Sequence, residues 1–491
     1  MPPIAGWALR LGRDLTEIAA IERVGSRMPD RRVFWGLIAL AVAARVAAVW
    51  VLQSHTVPRS TYEHGEIAVN LLAGRGFSVR YLGADGPTSQ QAPLYPFLVA
   101  GAYRVGGVGT PRSLLILELA QAGLGGVLVA GVMALAGSIA PKARWVAPLA
   151  GLIAAVDPTL VYPATHVQVV GLATTLLIVA LAWAERTART CRSSDAIGSG
   201  VCFGLLALAD PILGLSAPAM AWSIARSGEP RRSPRLIVLV AVTASVCVAP
   251  WVVRNFRVHG EFVPIKSSFG YAFWQGNCAL SEGTDKVIRP SVARIADRPS
   301  STFRDQNQAL WEARHEAGYI DDIALTPDDY RQLGSVSEPE RSRFLFRRAW
   351  ADLGSDPTRY IRLCLRRLRF FVFFDETNPK TRNLVYRVSH LGLTIAALIG
   401  LILARSEVRR NLGPSILTAG LIAAFHTLAI VSARFQIPIE PLMAVWAASG
   451  LSRWIGDDQP RLPTTSKASG SSTGLRSVRS AGDLDEFPSA V

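Results

Sequence analysis

The sequence predicts an all-α polytopic membrane protein of about ten transmembrane helices, with interfacial helices and a mixed or mainly helical outer subdomain. Three observations carry this. Half of the 491 residues are apolar and only 18% are charged, below the share usual for a soluble domain. The mean hydropathy is +0.27. The apolar residues gather into runs too long for strands, which excludes a purely soluble enzyme, a disordered chain and a disulfide scaffold. The formal net charge is +15, and 47 of the 52 basic residues are Arg, with only five Lys. In a soluble chain that balance raises nucleic acid as a partner; in a multi-span chain it reads as cationic loops on the cytoplasmic side. Cys191, Cys202, Cys247, Cys278 and Cys364 show neither zinc spacing nor a disulfide framework.

The elements follow in order. Residues 1–32 are polar and Arg-rich, read as a cytoplasmic N-terminal segment without a cleavage site, so 33–53 reads as a retained first span. Further spans are expected near 112–138, 146–163, 165–184, 197–213, 211–226, 235–253, 384–404, 413–432 and 436–452. The stretch 93–107 is interrupted by Arg104 and glycines, and reads as an interfacial helix. With the N-terminus inside, the short cytoplasmic loops hold twelve basic residues and the short outer turns one, Arg434. That bias predicts both termini inside. The domain map is then 33–253 for spans one to seven, 254–383 for an outer loop subdomain, 384–452 for spans eight to ten and 453–491 for a disordered tail, with a first outer loop at 54–111.

Within the outer segment, Ser337-Glu338-Pro339-Glu340 predicts a helix start, and Asp356-Pro357 a second that opens a basic amphipathic helix lying on the membrane surface. In the first outer loop, Ile67, Leu71 and Leu72 predict an amphipathic helix, with Gly74 as its C-cap and Glu63 and Glu66 one turn apart. A carboxylate so placed above a lipid-lined cavity suits general-base attack by a hydroxyl; solvated helix-face charges fit the same pattern. Basic residues at the outer ends of spans, Arg254, Arg257 and Arg434 with Lys266, run against the cationic-inside bias and fit either an anionic ligand or headgroup anchoring. No phosphate-cradling glycine loop, H-E-x-x-H or G-x-S-x-G is present. His166 and His426 read as packing residues, Asp210-Pro211 as a helix start, and Trp251 and Trp274 as members of an aromatic belt.

Three segments carry a resemblance. They are Tyr62-Glu63-His64-Gly65-Glu66-Ile67-Ala68, the stretch from Pro250-Trp251-Val252-Val253-Arg254-Asn255 to Trp274-Gln275-Gly276-Asn277, and Ala433-Arg434-Phe435-Gln436-Ile437-Pro438. In order and topology they resemble membrane glycosyltransferases of the GT-C superfamily, family 39-like, related to protein O-mannosyltransferases and the lipid A aminoarabinose transferase. The resemblance covers about residues 33–452. It implies inverting transfer of a sugar from a polyprenyl-phosphate donor to a protein, lipid or glycan acceptor, at the outer face of a cell (inner) membrane. Glu63 best matches the family's catalytic base, with Glu66 in reserve. Arg254 and Arg434, with Arg257 and Lys266 second, are the expected phosphate ligands. Asp157, Tyr95, Trp274 and Asn277 are expected near the substrate pocket. Asp157 fits an ordinary cap before Pro158 equally well, and Trp274 fits the aromatic belt. No residue cluster demands a metal, and the lipid-linked sugar is the expected co-substrate. The chain departs from the pattern where relatives carry an acid early in the fourth span, here His166, Val167, Gln168 and Val169. It departs again at Gly276-Asn277-Cys278 and at Thr88-Ser89. A transporter or flippase of lipid-linked glycans is the rival reading, and it predicts paired mid-bilayer charges in two repeated halves. A noncatalytic scaffold for envelope assembly predicts that Glu63 is dispensable.

Overall fold

The computed structural model describes residues 29–451 apart from 228 and 288. Most of the expected N-terminal segment and the whole of the expected tail lie outside the described residues. Helix α1 (Arg31–Leu52) starts at Asp30, whose side chain accepts the Arg32 amide at 3.2 Å. At 1.5 Å rise its 22 residues reach about 33 Å, enough to cross a bilayer core. Trp35, Leu40, Val46 and Trp50 stay exposed on it, as expected of a lipid-facing wall. The first outer loop holds α2 (Tyr62–Leu72), the hairpin β1 (Ser78–Tyr81) and β2 (Ala84–Pro87), and α3 (Leu94–Gly106). Antiparallel pairing sets Ser78 opposite Pro87. At 13 residues α3 is too short to span.

Helix α4 (Pro111–Ile139) is mostly buried, between α1, α5 (Val146–Val156) and α7 (Val170–Thr190). Helix α5 ends at Asp157, and the chain bends by 65° into the short α6 (Pro158–Val161). Pro158 cannot donate to the ladder, so carbonyls come free inside the bundle. Arg45 meets that need. Its guanidinium donates to the carbonyls of Ala41, Ala154, Ala155 and Leu160 at 3.0–3.4 Å. Gly125 admits the arm, since a Cβ there would lie 2.1 Å from it.

Next come α8 (Ser193–Ala209), α9 (Ala217–Ala225) and α10 (Ser233–His259). Between α8 and α9, Asp210 caps a short turn through the Ile212 amide at 3.2 Å. The outer segment is helical: α11 (Phe269–Asn277), α12 (Pro290–Ala296), α13 (Phe303–Ala317), α14 (Ile320–Ala324), α15 (Pro327–Gly334), α16 (Glu338–Ser355) and α17 (Pro357–Val372). The last two start where Ser337 and Asp356 predict, and Asp356 accepts the Arg359 amide at 3.0 Å. The chain closes with α18 (Leu384–Leu403), α19 (Ser406–Leu428) and α20 (Glu440–Leu451). Gly400 lets α18 and α20 touch, because a Cβ there would sit 2.1 Å from the Trp446 carbonyl.

Each of the ten expected runs is helical, and the chain is a multi-pass membrane protein. Five described helices are long and apolar enough to cross a membrane by themselves, and the bent α5–α6 pair makes a sixth candidate. The other four runs form shorter or more polar helices.

Two cores hold the molecule. One lies among the apolar spans, built on α4, α5, α7 and α20. The other joins the first outer loop to the outer segment: Ile67, Phe77 and Tyr81 pack with Phe273, Trp274, Leu333 and Leu345. Buried ionic groups fix that junction. Glu338 accepts from Thr88 Oγ1 (2.6 Å), the Ser89 amide (2.7 Å) and Ser267 Oγ (2.6 Å). Three donors on one carboxylate compensate its burial. Arg341 donates to the Tyr81 carbonyl at 2.8 Å.

Candidate functional site

Five segments from distant parts of the chain meet around one small pocket. Its wall includes Tyr162, His166, Asp285, Lys286, Arg314, Tyr319, Lys380 and Arg434. A short parallel bridge, Thr284 to Val431, with the Val431 amide donating to the Gly283 carbonyl at 3.1 Å, holds the two segments that bear Lys286 and Arg434. Asp375 fixes the same corner by accepting the Ala433 amide at 3.1 Å and the Thr377 amide at 3.0 Å. Asn378 caps the turn that presents Lys380. Arg314 comes from the last turns of α13, and Tyr319 from the loop that follows it.

The electrostatics are one-sided. Lys286, Arg314, Lys380 and Arg434 form no ion pair among the described residues. Lys286 Nζ lies 3.9 Å from the centre of the Tyr319 ring, and Arg314 lies over Trp311 at 4.8 Å. Burial pulls the Lys380 ammonium down to about 8, with Arg314 adding repulsion. Burial likewise lowers Lys286 and Lys266. A charged group buried without a counterion is costly. Lys286 is buried, Arg314 and Lys380 are half-buried and Arg434 is exposed, and together they give the pocket a cationic wall.

Glu63 stands beside this pocket, half-buried on α2, and accepts a hydrogen bond from Gln90 Nε2 at 3.3 Å. Its charge acts on Lys266, and so does that of Arg434, which lines the pocket. The adjacent His64 is held neutral: burial, then Lys266 and Arg434, pushes it down to about 3. Glu66 differs. It is exposed and accepts the Arg80 amide at 2.8 Å, tying α2 to β1.

The structure therefore gathers Glu63, Lys266 and Arg434 and places the other expected residues elsewhere. Arg254 does not line the pocket; it donates to the Thr88 carbonyl (2.6 Å), the Phe77 carbonyl (2.9 Å) and Asn255 Oδ1 (3.1 Å), which holds the hairpin. Arg257 is exposed on α10 and does not line the pocket. Asp157 is a buried cap, accepting the Thr159 amide at 2.8 Å and Ser389 Oγ at 2.8 Å. Its neighbour Glu440 pairs with His390 at 3.1 Å. Tyr95 is fully buried and bonds Gln121 at 2.8 Å. Trp274 belongs to the outer core rather than to an aromatic belt. Asn277 joins α11 to Ala429 (3.1 Å) and accepts from Arg367 (3.0 Å). None of these last four lines the pocket. His166, expected as a packing residue, does.

Sequence reasoning missed Lys286, Arg314, Lys380, Asp285 and Tyr319. One signal was available: in a chain with 47 Arg and five Lys, Lys266, Lys286 and Lys380 all come to this region. Among the described residues no cluster of three His, Cys, Asp or Glu has metal-binding geometry.

The fold matches solved structures. The Archaeoglobus fulgidus oligosaccharyltransferase tethered to an acceptor peptide containing the NVT sequon aligns with a TM-score of 0.50 and 12% identity, over 86% of this chain and 50% of that one. The chain has the GT-C fold. AglB from the same organism, in complex with an inhibitory peptide and a dolichol-phosphate, gives 0.49 at 13% identity, over 86% and 51%. ArnT from Cupriavidus metallidurans bound to undecaprenyl phosphate gives 0.35 at 14% identity, over 85% and 78%. The chain spans about half the length of the oligosaccharyltransferase it matches. No family model matches the sequence, and no curated protein does.

Proposed function

We propose that this GT-C chain is a glycosyltransferase that moves a sugar from a polyprenyl-phosphate donor to an acceptor hydroxyl on the outer face of a cell membrane, with inversion. The observation that carries this reading is the unpaired cation pocket beside the half-buried Glu63. The pocket supplies fixed positive charge where a departing lipid phosphate gains negative charge, which lowers the barrier to its departure. Lys286, Arg314, Lys380 and Arg434 hold that phosphate, and Lys266 feels the charge of both Glu63 and Arg434. The Glu63 carboxylate takes the proton of the acceptor hydroxyl as its oxygen attacks the anomeric carbon. The carbon–oxygen bond to the lipid phosphate breaks as the new one forms, and the lipid phosphate leaves with the electron pair. Attack from the side opposite the leaving group inverts the centre. Both termini then lie in the cytoplasm.

Sugar transfer from a panel of polyprenyl-phosphate sugars in reconstituted vesicles, with protein, lipid and glycan acceptors, tests this. Turnover by the wild type that collapses in Glu63→Gln is the expected result. Turnover that survives in Glu63→Gln and is lost only in Glu66→Gln moves the base by one turn.

A further inference from the structure

Buried polar atoms without a partner are rare in folded chains, and several of those found here belong to this pocket. His166 Nε2, Asp285 Oδ1 and Arg314 Nε are buried with no hydrogen-bond partner among the described residues, and all three residues line it. Trp311 Nε1 is another, on the ring that stacks against His166 at 5.0 Å. His166 itself is 2% exposed.

Asp285 is the odd member. It is the one carboxylate lining a wall that carries Lys286, Arg314, Lys380 and Arg434, yet it forms an ion pair with none of them. Its carbonyl accepts the Ile320 amide at 3.0 Å, and the preceding Thr284 is held in the bridge to Val431. A phosphate has no use for such an oxygen, since a carboxylate repels it. What the oxygen fits is a hydrogen-bond donor carried next to the phosphate. The imidazole Nε2 of His166 can donate or accept, and Tyr162 and Tyr319 add aromatic wall. Hydroxyl groups, which donate and accept at once, satisfy both orphaned atoms.

We propose that Asp285, assisted by His166, reads a hydroxyl of the sugar joined to the lipid phosphate and so determines donor specificity, an inference that rests on the lipid-phosphate reading of the pocket. Asp285 accepts the hydroxyl proton in a charge-assisted hydrogen bond, while the cations hold the phosphate.

The test turns on sign. Asp285→Asn removes a negative charge from beside the phosphate while it weakens the acceptor. Binding is measured on the full chain in nanodiscs with two probes: undecaprenyl phosphate, and whichever undecaprenyl-phosphate hexose of the glucose, galactose and mannose forms binds the wild type best. For Asp285→Asn the expected result is equal or tighter binding of undecaprenyl phosphate and about tenfold to hundredfold weaker binding of the phosphohexose, as for a lost hydrogen bond to a charged group. His166→Phe keeps the ring stack against Trp311 and shifts affinity in the same selective way. Tightening of both probes by Asp285→Asn makes the residue a mere charge and overturns the inference. Parallel weakening of both makes it structural and does the same. So does a wild type that prefers no phosphohexose to the bare phosphate. A wild type that binds neither probe removes the lipid-phosphate reading, and this inference with it.

Discussion

Two groups of basic side chains invite comparison. Helix α17 carries Arg359, Arg362, Arg366, Arg367 and Arg369, the densest cationic run in the outer segment. The pocket carries Lys286, Arg314, Lys380 and Arg434, scattered over 149 positions of sequence. Every arginine of α17 is engaged. Arg367 donates to the carbonyls of Thr427 (2.7 Å), Gly276 (2.9 Å) and Ala429 (3.1 Å), and Arg359 to those of Asn277 (3.0 Å) and Cys278 (2.6 Å). Arg362, Arg366 and Arg369 pair with Asp356, Glu282 and Glu376. The pocket cations have no such counterions. The dense run in sequence is thus spent on structural braces, whereas the scattered set is left outside ion pairs among the described residues and is the set proposed to meet an anion.

The largest effect expected of any substitution belongs to the carboxylate beside the pocket. Glu63→Gln lowers transfer by about 10²–10⁴-fold, the usual worth of a general base, and leaves the affinity for undecaprenyl phosphate within a few-fold. Single-turnover rates and binding isotherms on the same preparation separate the two. A loss of affinity equal to the loss of rate makes Glu63 a binding residue instead.

Next comes the contrast between brace and receptor. Arg367→Met strips donors from a set of buried carbonyls and costs about 3 kcal/mol of stability, read as a lower melting temperature in detergent. Lys286→Met removes a buried unpaired cation, so it leaves the melting temperature unchanged or higher. The same variant weakens undecaprenyl phosphate binding about tenfold. A melting-temperature loss in Lys286→Met equal to that of Arg367→Met erases the distinction.

A smaller effect is set by pH. Burial holds Lys380 down to about 8. Below that pH the ammonium is protonated and attracts the lipid phosphate; above it the charge is lost, and affinity falls as pH rises. A titration of binding between pH 7 and 9.5 shows the decline, and Lys380→Arg, protonated throughout, removes it. Persistence of the same decline in Lys380→Arg assigns the titration to another group.

Much of the fold was legible because apolar runs, proline starts and acidic caps are local signals. Ser337 and Asp356 mark helix starts that the structure keeps. The bend at Asp157-Pro158 was hidden, since its consequence is three carbonyls answered by Arg45 from a different helix. The site was legible only in part. Glu63 could be singled out as a carboxylate on the amphipathic helix of the first loop and by the family resemblance, and Arg434 by its position at the end of an apolar run. Lys286 and Lys380 could not, because nothing local shows that the Thr284–Val431 bridge and the Asp375 corner bring them together. Nor does anything local show that Arg254 finds its partners in the hairpin backbone.

The most direct test of the central claim sets the two groups of cations against each other in one titration. Undecaprenyl phosphate binding to the full chain in nanodiscs is compared among the wild type, an Arg314→Gln/Arg434→Gln variant and an Arg362→Gln/Arg369→Gln variant. The account predicts about a hundredfold loss in the first variant, two charge-assisted contacts being removed, and affinity within twofold of wild type in the second. Retained affinity in the pocket variant together with a loss in the α17 variant contradicts it.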